Sequence, residues 1–348
     1  MSSKLRYLCR LVFLSSAIAV VVVVPLSWFI YQNYMDKPLA LDQELVFRVP
    51  ENSNLYAVSR ELALSGYLEY PRLLVWHARW KKQTNIQAGE YRFNSGITPA
   101  LLLKQLNEGK VIQHSLSLIE GWTVREMLAS IHQDSRIEAK LSGQSDAEII
   151  RSLGLEIDSL EGWFYPDTYL FALGTTDIDV LTRAHRRMQD VLAEEWVARD
   201  TGLPFETPYE ALILASIVEK ETGVAHERPE IAGVFVRRMK KKMRLQTDPT
   251  VIYGLGPDYD GNLTRRHLAT DGPYNTYRIP GLPPTPIAAA GREAIQAVLH
   301  PAEGDALYFV ARGDGSHKFS ATLNEHNAAV REFQIENRAE NYRSSPER

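Results

Sequence analysis

Tyr209-Glu-Ala-Leu-Ile-Leu-Ala-Ser-Ile-Val-Glu-Lys-Glu-Thr222 decides how the larger part of this chain folds. From Tyr209 to Val218 the segment is apolar on nearly every side at the helical period, so it reads as a helix enclosed by other elements rather than one lying on a surface. Gly223 is a natural left-handed residue to end it. Glu219 and Glu221 then fall in its last turn, where burial and the negative end of the helix dipole both disfavour a carboxylate and raise its pKa. A carboxyl kept protonated near neutral pH suits general acid catalysis. Spacing favours Glu219 for that role. It stacks over Leu212, Ala215 and Ser216, a face with small residues that leave room for a ligand, whereas Glu221 follows Leu214, Ile217 and Val218.

Three short polar blocks follow this helix. Leu245-Gln-Thr-Asp-Pro-Thr250 supplies Gln246, Thr247 and Asp248 as positioning groups, although Asp248 ahead of Pro249 is equally explained as a turn or helix cap. Tyr274-Asn-Thr-Tyr277 supplies Asn275, Thr276 and Tyr277, amide and hydroxyl groups of the kind that orient N-acetyl and hydroxyl substituents; a polar turn after Gly272-Pro273 would also account for them. Gly281-Leu-Pro-Pro284 is stiff and donates few backbone hydrogens, so it is expected to shape a wall beside a groove. An earlier run, Leu160-Glu-Gly-Trp-Phe-Tyr-Pro-Asp-Thr-Tyr169, is dense in aromatics that either plug a core or stack on sugar faces.

In order and composition these blocks resemble the YceG-like family, the endolytic murein transglycosylases, and the resemblance spans most of residues 45–335. One block departs from the family pattern: where its members commonly show Asn-Arg-Leu ahead of the Gln-Thr-Asp-Pro-Thr block, this chain has Arg237-Arg238-Met239. The resemblance implies a peptidoglycan lytic transglycosylase with Glu219, the first glutamate of its Glu-Lys-Glu-Thr block, as the catalytic residue. It likewise implies a substrate site lined by Glu221, Gln246, Thr247, Asp248, Asn275, Thr276 and Tyr277. The implied reaction breaks the MurNAc-GlcNAc β-1,4 bond within nascent glycan strands without water, leaves 1,6-anhydro-MurNAc ends and terminates strand elongation. It needs no cofactor, and the partners implied are glycan strands and membrane-bound peptidoglycan synthases.

Two rival readings stay open. A hydrolytic muramidase would need a second carboxylate across the scissile bond, for which Glu221 and Asp248 are the candidates. A membrane-anchored glycan-binding scaffold for synthases would need no catalysis.

Bulk properties bound these readings. The 348 residues suit a membrane tether plus two further domains, and a net charge of −4 gives no basic field for nucleic acid. The basic run Arg237, Arg238, Lys240, Lys241, Lys242 and Arg244 reads as a solvated helix face. Cys9 is the only cysteine, and the nine histidines show no paired ligand spacing, so no metal site is predicted. No phosphate-cradling glycine loop and no Gly-x-Ser-x-Gly elbow is present.

No charge occurs from Leu11 to Met35, and the strictly apolar part, Leu11 to Ile30, would rise about 30 Å as a helix, the thickness of one bilayer core. Lys4, Arg6 and Arg10 precede it, which puts the short N-terminus in the cytoplasm and the rest outside a bacterial inner membrane, in the periplasm. Ala17-Ile-Ala19 mimics a signal-peptide cleavage site. However, the apolar run continues past it, and Trp28, Tyr31 and Tyr34 make an interfacial belt, so an anchor is the reading.

Beyond the anchor an α+β class is expected. Residues 1–10 form the cytoplasmic N-terminus, 11–35 the transmembrane helix and 36–44 a linker. A small α+β module spans 45–119 and a larger mixed α+β catalytic domain spans 120–335, followed by a frayed tail over 336–348. In the small module Leu45–Val49 reads as a strand, Asn52-Ser53 as a helix cap, Pro71 as the start of a second helix through Trp76 and Trp80, and Ala88–Phe93 as a strand. Thr98-Pro99 opens a third helix ended by Gly109, before a strand from Val111 to Ile119. The first half of this order is similar to a LysM-type fold, which the family places beside its anchor; LysM modules bind N-acetylated glycans, but nothing in residues 45–110 marks a binding groove, so a spacer role stays equally open. In the larger domain Thr123 and Glu126 form a capping box. Residues 175–202 read as a charged amphipathic helix, a surface arm of the larger domain, and the chain ends with a strand over Ala306–Val310 and a helix over Asn324–Gln334.

Overall fold

The computed structural model describes residues 18–336. The described chain divides into two compact units, one holding residues 18–114 together with Ala172–Gly174, the other holding Ser115–Phe171 and residues 175–336. The architecture is mixed α+β throughout, with small two-stranded sheets among the helices.

In the first unit a π-helical turn, Ala19–Val23, leads into α1 (Val24–Asp36), whose Tyr31, Tyr34 and Met35 are buried. Among the described residues no helix is long and apolar enough to cross a membrane. Residues 11–17 of the expected span, the 1–10 segment with Cys9 and the tail from 337 lie outside the described residues. Strand β1 (Leu45–Val49) pairs antiparallel with β2 (Gly89–Phe93) in a register that sets Leu45 opposite Phe93. Alternation sends Phe47, Val49, Tyr91 and Phe93 to the core side. Between the strands lie α2 (Leu55–Leu64) and α3 (Pro71–Lys81). The cap of α2 is Asn54, whose side chain accepts from the Ala57 N–H at 2.9 Å, because Asn52 takes a left-handed turn (φ 59°) just before it. After β2, α4 (Pro99–Glu108) starts on Thr98 and ends on Gly109, whose left-handed backbone (φ 66°) favours glycine. Val111 makes a single bridge to Tyr91, and of the strand expected over Val111–Ile119 only His114–Ser117 forms.

The second unit opens with β3 (His114–Ser117), which pairs with β4 (Thr168–Phe171). Between them lie α5 (Val124–Gln133), capped by the reciprocal Thr123–Glu126 pair, and α6 (Asp146–Leu153). Next comes α7 (Asp177–Ala198). Val180, Leu181, Ala184, Met188, Val191 and Leu192 form a fully enclosed stripe along it, so this helix is part of the core rather than the surface arm its charges suggested.

Then follows α8 (Pro208–Glu221), in which every residue from Ala211 to Glu219 is buried. It is surrounded by α7, α9 (Arg228–Lys240), α10 (Asp248–Leu255) and, beyond the short α11 (Arg265–Ala269), α12 (Arg292–Leu299). A hairpin of β5 (Tyr308–Ala311) and β6 (His317–Ser320) follows, and α13 (Leu323–Val330) runs into a π-helical turn, Arg331–Glu336. The expected final strand thus starts two residues later and gains a partner. Arg237 and Arg238 are not a solvated face: their guanidinium groups donate to the carbonyls of Ala306 and Leu307 at 2.7 and 2.6 Å and hold the approach to β5.

Candidate active site

Helix α8 starts on Thr207 with a Glu210 capping box and Pro208 in its first turn, and it ends on Thr222. Thr222 is extended (φ −143°, ψ 139°), so the helix stops without the left-handed glycine expected at Gly223. Its last turn points two carboxyl groups in different directions, because residues two apart on an α-helix are separated by about 200°.

Glu221 lines a large cavity, about 1440 Å³ in volume, together with Gln246, Thr247, Asp248, Tyr274 and Tyr277. Thr247 Oγ1 donates a hydrogen bond to Glu221 Oε1. Burial pushes the Glu221 carboxyl up to about 7, reinforced by nearby Asp248 and opposed by the Thr247 hydrogen bond and the Arg238 charge. That is the condition of a general acid at neutral pH.

Glu219 is elsewhere. It is 1% exposed, its Oε2 accepts the Gly291 N–H at 3.2 Å, and its Oε1 lies 3.8 Å from the Arg228 guanidinium. It lines a separate, smaller cavity of about 410 Å³ with Glu120, Gly223 and Arg228. Gly291 caps the start of α12, so the Glu219 carboxylate ties α8 to α12. The small residues beneath Glu219 leave room that the protein itself fills: Ser216 Oγ, one turn back, accepts the Ile287 N–H at 2.9 Å.

The two polar blocks meet as the sequence implies, and the hydroxyls of Thr250 and Thr276 join them to the Thr247 backbone. Thr276 Oγ1 accepts the Thr247 N–H at 3.0 Å and lies 2.9 Å from Thr250 Oγ1, which donates to the Thr247 carbonyl at 2.8 Å. Gln246 holds a left-handed backbone (φ 53°) that brings its N–H to the Thr276 carbonyl at 3.2 Å. Tyr277 Oη donates to Asp248 Oδ1 at 2.6 Å, and burial raises the phenol pKa.

Not all of the expected ligand-facing groups face the cavity. Asn275 directs its amide at the carbonyls of His267, Leu268 and Thr270 (3.1, 3.1 and 2.6 Å) and so closes the end of α11. Thr276 is wholly buried. The polar-turn reading therefore describes these two, while Gln246, Asp248 and Tyr277 remain at the cavity with Glu221. Gly281–Pro284 forms no wall of it; Leu282 packs on the core instead.

A residue that spacing missed is Glu161. It lines the same cavity as Glu221, accepts the Val124 N–H at 3.0 Å and the Tyr253 hydroxyl at 3.1 Å, and burial pushes it up to about 7. Its signal was an acid inside an otherwise aromatic run, next to Gly162, whose φ of 79° and close approach to Pro286 exclude a side chain. The aromatics of that run are core: Phe164 is 1% exposed, and Trp163 stacks on Tyr209 at 5.3 Å. Among the described residues there is no group of three or more His, Cys, Asp or Glu that could hold a metal ion.

With this geometry in hand, known proteins offer a comparison. The chain is 29% identical to the endolytic murein transglycosylase of Bacillus subtilis (strain 168), over 88% of this chain and 89% of that protein. It is 26% identical to the endolytic murein transglycosylase of Streptococcus pneumoniae (strain D39), over 82% of this chain and 58% of that longer protein. The crystal structure of a YceG-like protein from Listeria monocytogenes superposes with a TM-score of 0.49 at 28% identity, covering 82% of this chain and 99% of that one. The model of the YceG-like family matches residues 47–332, and the chain belongs to that family.

Proposed function

We propose that this protein is a peptidoglycan lytic transglycosylase whose single acid is Glu221 rather than Glu219. The observation that carries the reading is Glu221 itself: a buried carboxyl, pushed up to about 7, lining the large cavity between the Gln246–Asp248 and Tyr274–Tyr277 segments. The curated relatives bear the name of the same activity.

In this mechanism Glu221 gives its proton to the glycosidic oxygen between MurNAc and GlcNAc as that bond breaks. The resulting carboxylate then takes the proton of the C6 hydroxyl of the same MurNAc, whose oxygen closes on C1. The proton count returns to its start, water is not consumed, and the chain end is a 1,6-anhydro ring. Thr247 holds the carboxyl in place. Asp248 fixes the Tyr277 hydroxyl at the cavity wall, where Gln246 offers its side-chain amide to the sugar substituents. Glu219 serves as a brace.

Residues 11–35 anchor the protein in the bacterial inner membrane with residues 1–10 in the cytoplasm. The LysM-like module over 45–119 and the catalytic domain over 120–335 then work on nascent strands in the periplasm, where cleavage near the membrane stops elongation beside the synthases. The support is the charge-free run from Leu11 to Met35 and its flanking cations.

One observation favours a second reading. Glu161 shares the cavity with Glu221, and a carboxyl pair is what a hydrolase uses. Mass spectrometry of murein digested by wild type, Glu221→Gln and Glu219→Gln proteins separates the possibilities. Lytic cleavage yields muramoyl ends one water lighter than hydrolysis does, and only Glu221→Gln should abolish them. Activity that survives Glu221→Gln and disappears with Glu219→Gln would return the acid to Glu219.

A further inference from the structure

In the first unit, helix α3 presents an unusual outer face. Leu74, Val75 and Ala78 are buried, while Arg72, Trp76, Arg79 and Trp80 recur at helical spacing on the exposed side. Trp76 and Trp80 are 56% and 54% exposed, and their rings stack at 6.3 Å with 13° between planes. Two indoles held open to solvent are costly unless something covers them.

What covers them is indicated by what they touch. Trp80 meets Trp28 of α1 edge-on at 6.1 Å, and Trp76 meets Tyr31 edge-on at 5.8 Å. Trp28 and Tyr31 stand within one helical turn of each other, at the end of the run in which Val20, Val21, Val22, Phe29 and Ile30 are all more than half exposed. Ring contact thus fixes Trp76 and Trp80 at the depth of the residues that close the apolar run. The charges around them are of one sign: Arg72, Arg79, Lys81 and Lys82 are the only charged residues from 71 to 89, and the Lys81 ammonium lies 5.0 Å above the Trp80 ring. Indoles flanked by cations on one helix face are the composition of a helix lying in a bilayer interface. A sugar platform would call for hydrogen-bonding groups of both kinds at the ring edges, and the α3 face offers only cations.

We infer that α3 is an interfacial helix: Trp76 and Trp80 sit in the headgroup layer of the bilayer that holds the apolar run, and Arg72, Arg79, Lys81 and Lys82 meet the phosphates of anionic phospholipid. This rests on the anchor reading above. It assigns the first unit a lipid-facing side that is independent of any glycan it binds.

The full chain, reconstituted in vesicles of phosphatidylcholine and phosphatidylglycerol that carry brominated acyl chains, tests this through tryptophan quenching. Trp76→Phe/Trp80→Phe should lose most of the bromolipid-quenched emission, with Trp28 supplying the remainder. Arg79→Gln/Lys81→Gln/Lys82→Gln keeps every indole and should lose the dependence of quenching on phosphatidylglycerol content. Release of the wild-type chain by alkaline carbonate would overturn the anchor itself. A chain that stays in the bilayer, with quenching indifferent to the double substitution, would overturn the interfacial helix alone. So would emission from Trp76 and Trp80 that ignores bromolipid and shifts with chitooligosaccharide, which would make the face a sugar platform.

Discussion

Two sides of one helix end hold carboxyl groups in different surroundings. Glu219 and Glu221 share the last turn of α8, yet Glu219 meets a backbone N–H and an arginine while Glu221 meets a threonine hydroxyl, an aspartate and a cavity of about 1440 Å³. The helix gives both the same macrodipole and nearly the same sequence context. The difference comes from what tertiary structure brings to each side: Gly291 and Arg228 to one, the Gln246–Asp248 turn to the other. The surroundings of each carboxyl are therefore set by the segments that face it, and the helix only delivers the group.

The largest effect that tests this contrast is Glu221→Gln, which should lower the rate of anhydro-end formation by about 10²–10⁴-fold, the usual range for removing a general acid, while leaving the fold intact by circular dichroism. Glu219→Gln should do the reverse. Its rate should stay within a few fold of wild type, and denaturant unfolding should show a loss of about 1–3 kcal/mol from a buried carboxylate withdrawn from Gly291 and Arg228. Equal loss of rate in both variants would erase the contrast.

Smaller effects sharpen it. The Thr247 hydroxyl stabilises the charged form of Glu221, so Thr247→Val should raise the acid's pKa further and move the alkaline limb of the pH–rate profile to higher pH. Movement in the other direction would mean that the hydroxyl binds the protonated form. Glu161 is a test of linkage. Its folded pKa is raised from 4.5 to about 7, so the folded state holds a proton that the unfolded chain has released across that window, and stability must fall as pH rises through it. Glu161→Gln should flatten the slope of unfolding free energy between about pH 5 and 7, with Glu221 supplying the slope that remains.

How much of this was legible in the sequence depended on the range of the forces involved. Helix α8 was readable because its apolar pattern alone demands enclosure, and the Thr123–Glu126 cap because both partners lie within one turn. The choice between Glu219 and Glu221 was not readable from spacing. It turns on contacts with Thr247 and Gly291, which are 26 and 72 residues away in the chain. Helix α7 was legible as amphipathic, but not how fully its apolar stripe is enclosed, because that depends on the elements packed against it. Asn275 and Thr276 have the chemistry of sugar ligands, but the backbone of α11 and the threonine cluster claimed them first. Strand β6 escaped notice because His317-Lys-Phe-Ser320 is short and polar, and only its pairing with β5 makes it a strand.

The left-handed backbone at Gln246 carries one more consequence. A non-glycine residue there is disfavoured on its own and persists only because the threonine cluster over-determines it. The wall opposite Glu221 is accordingly set during folding, and an arriving glycan finds its hydrogen-bonding partners already aimed. Ordering entropy that a floppy loop would impose at each encounter is settled once, before any strand is bound.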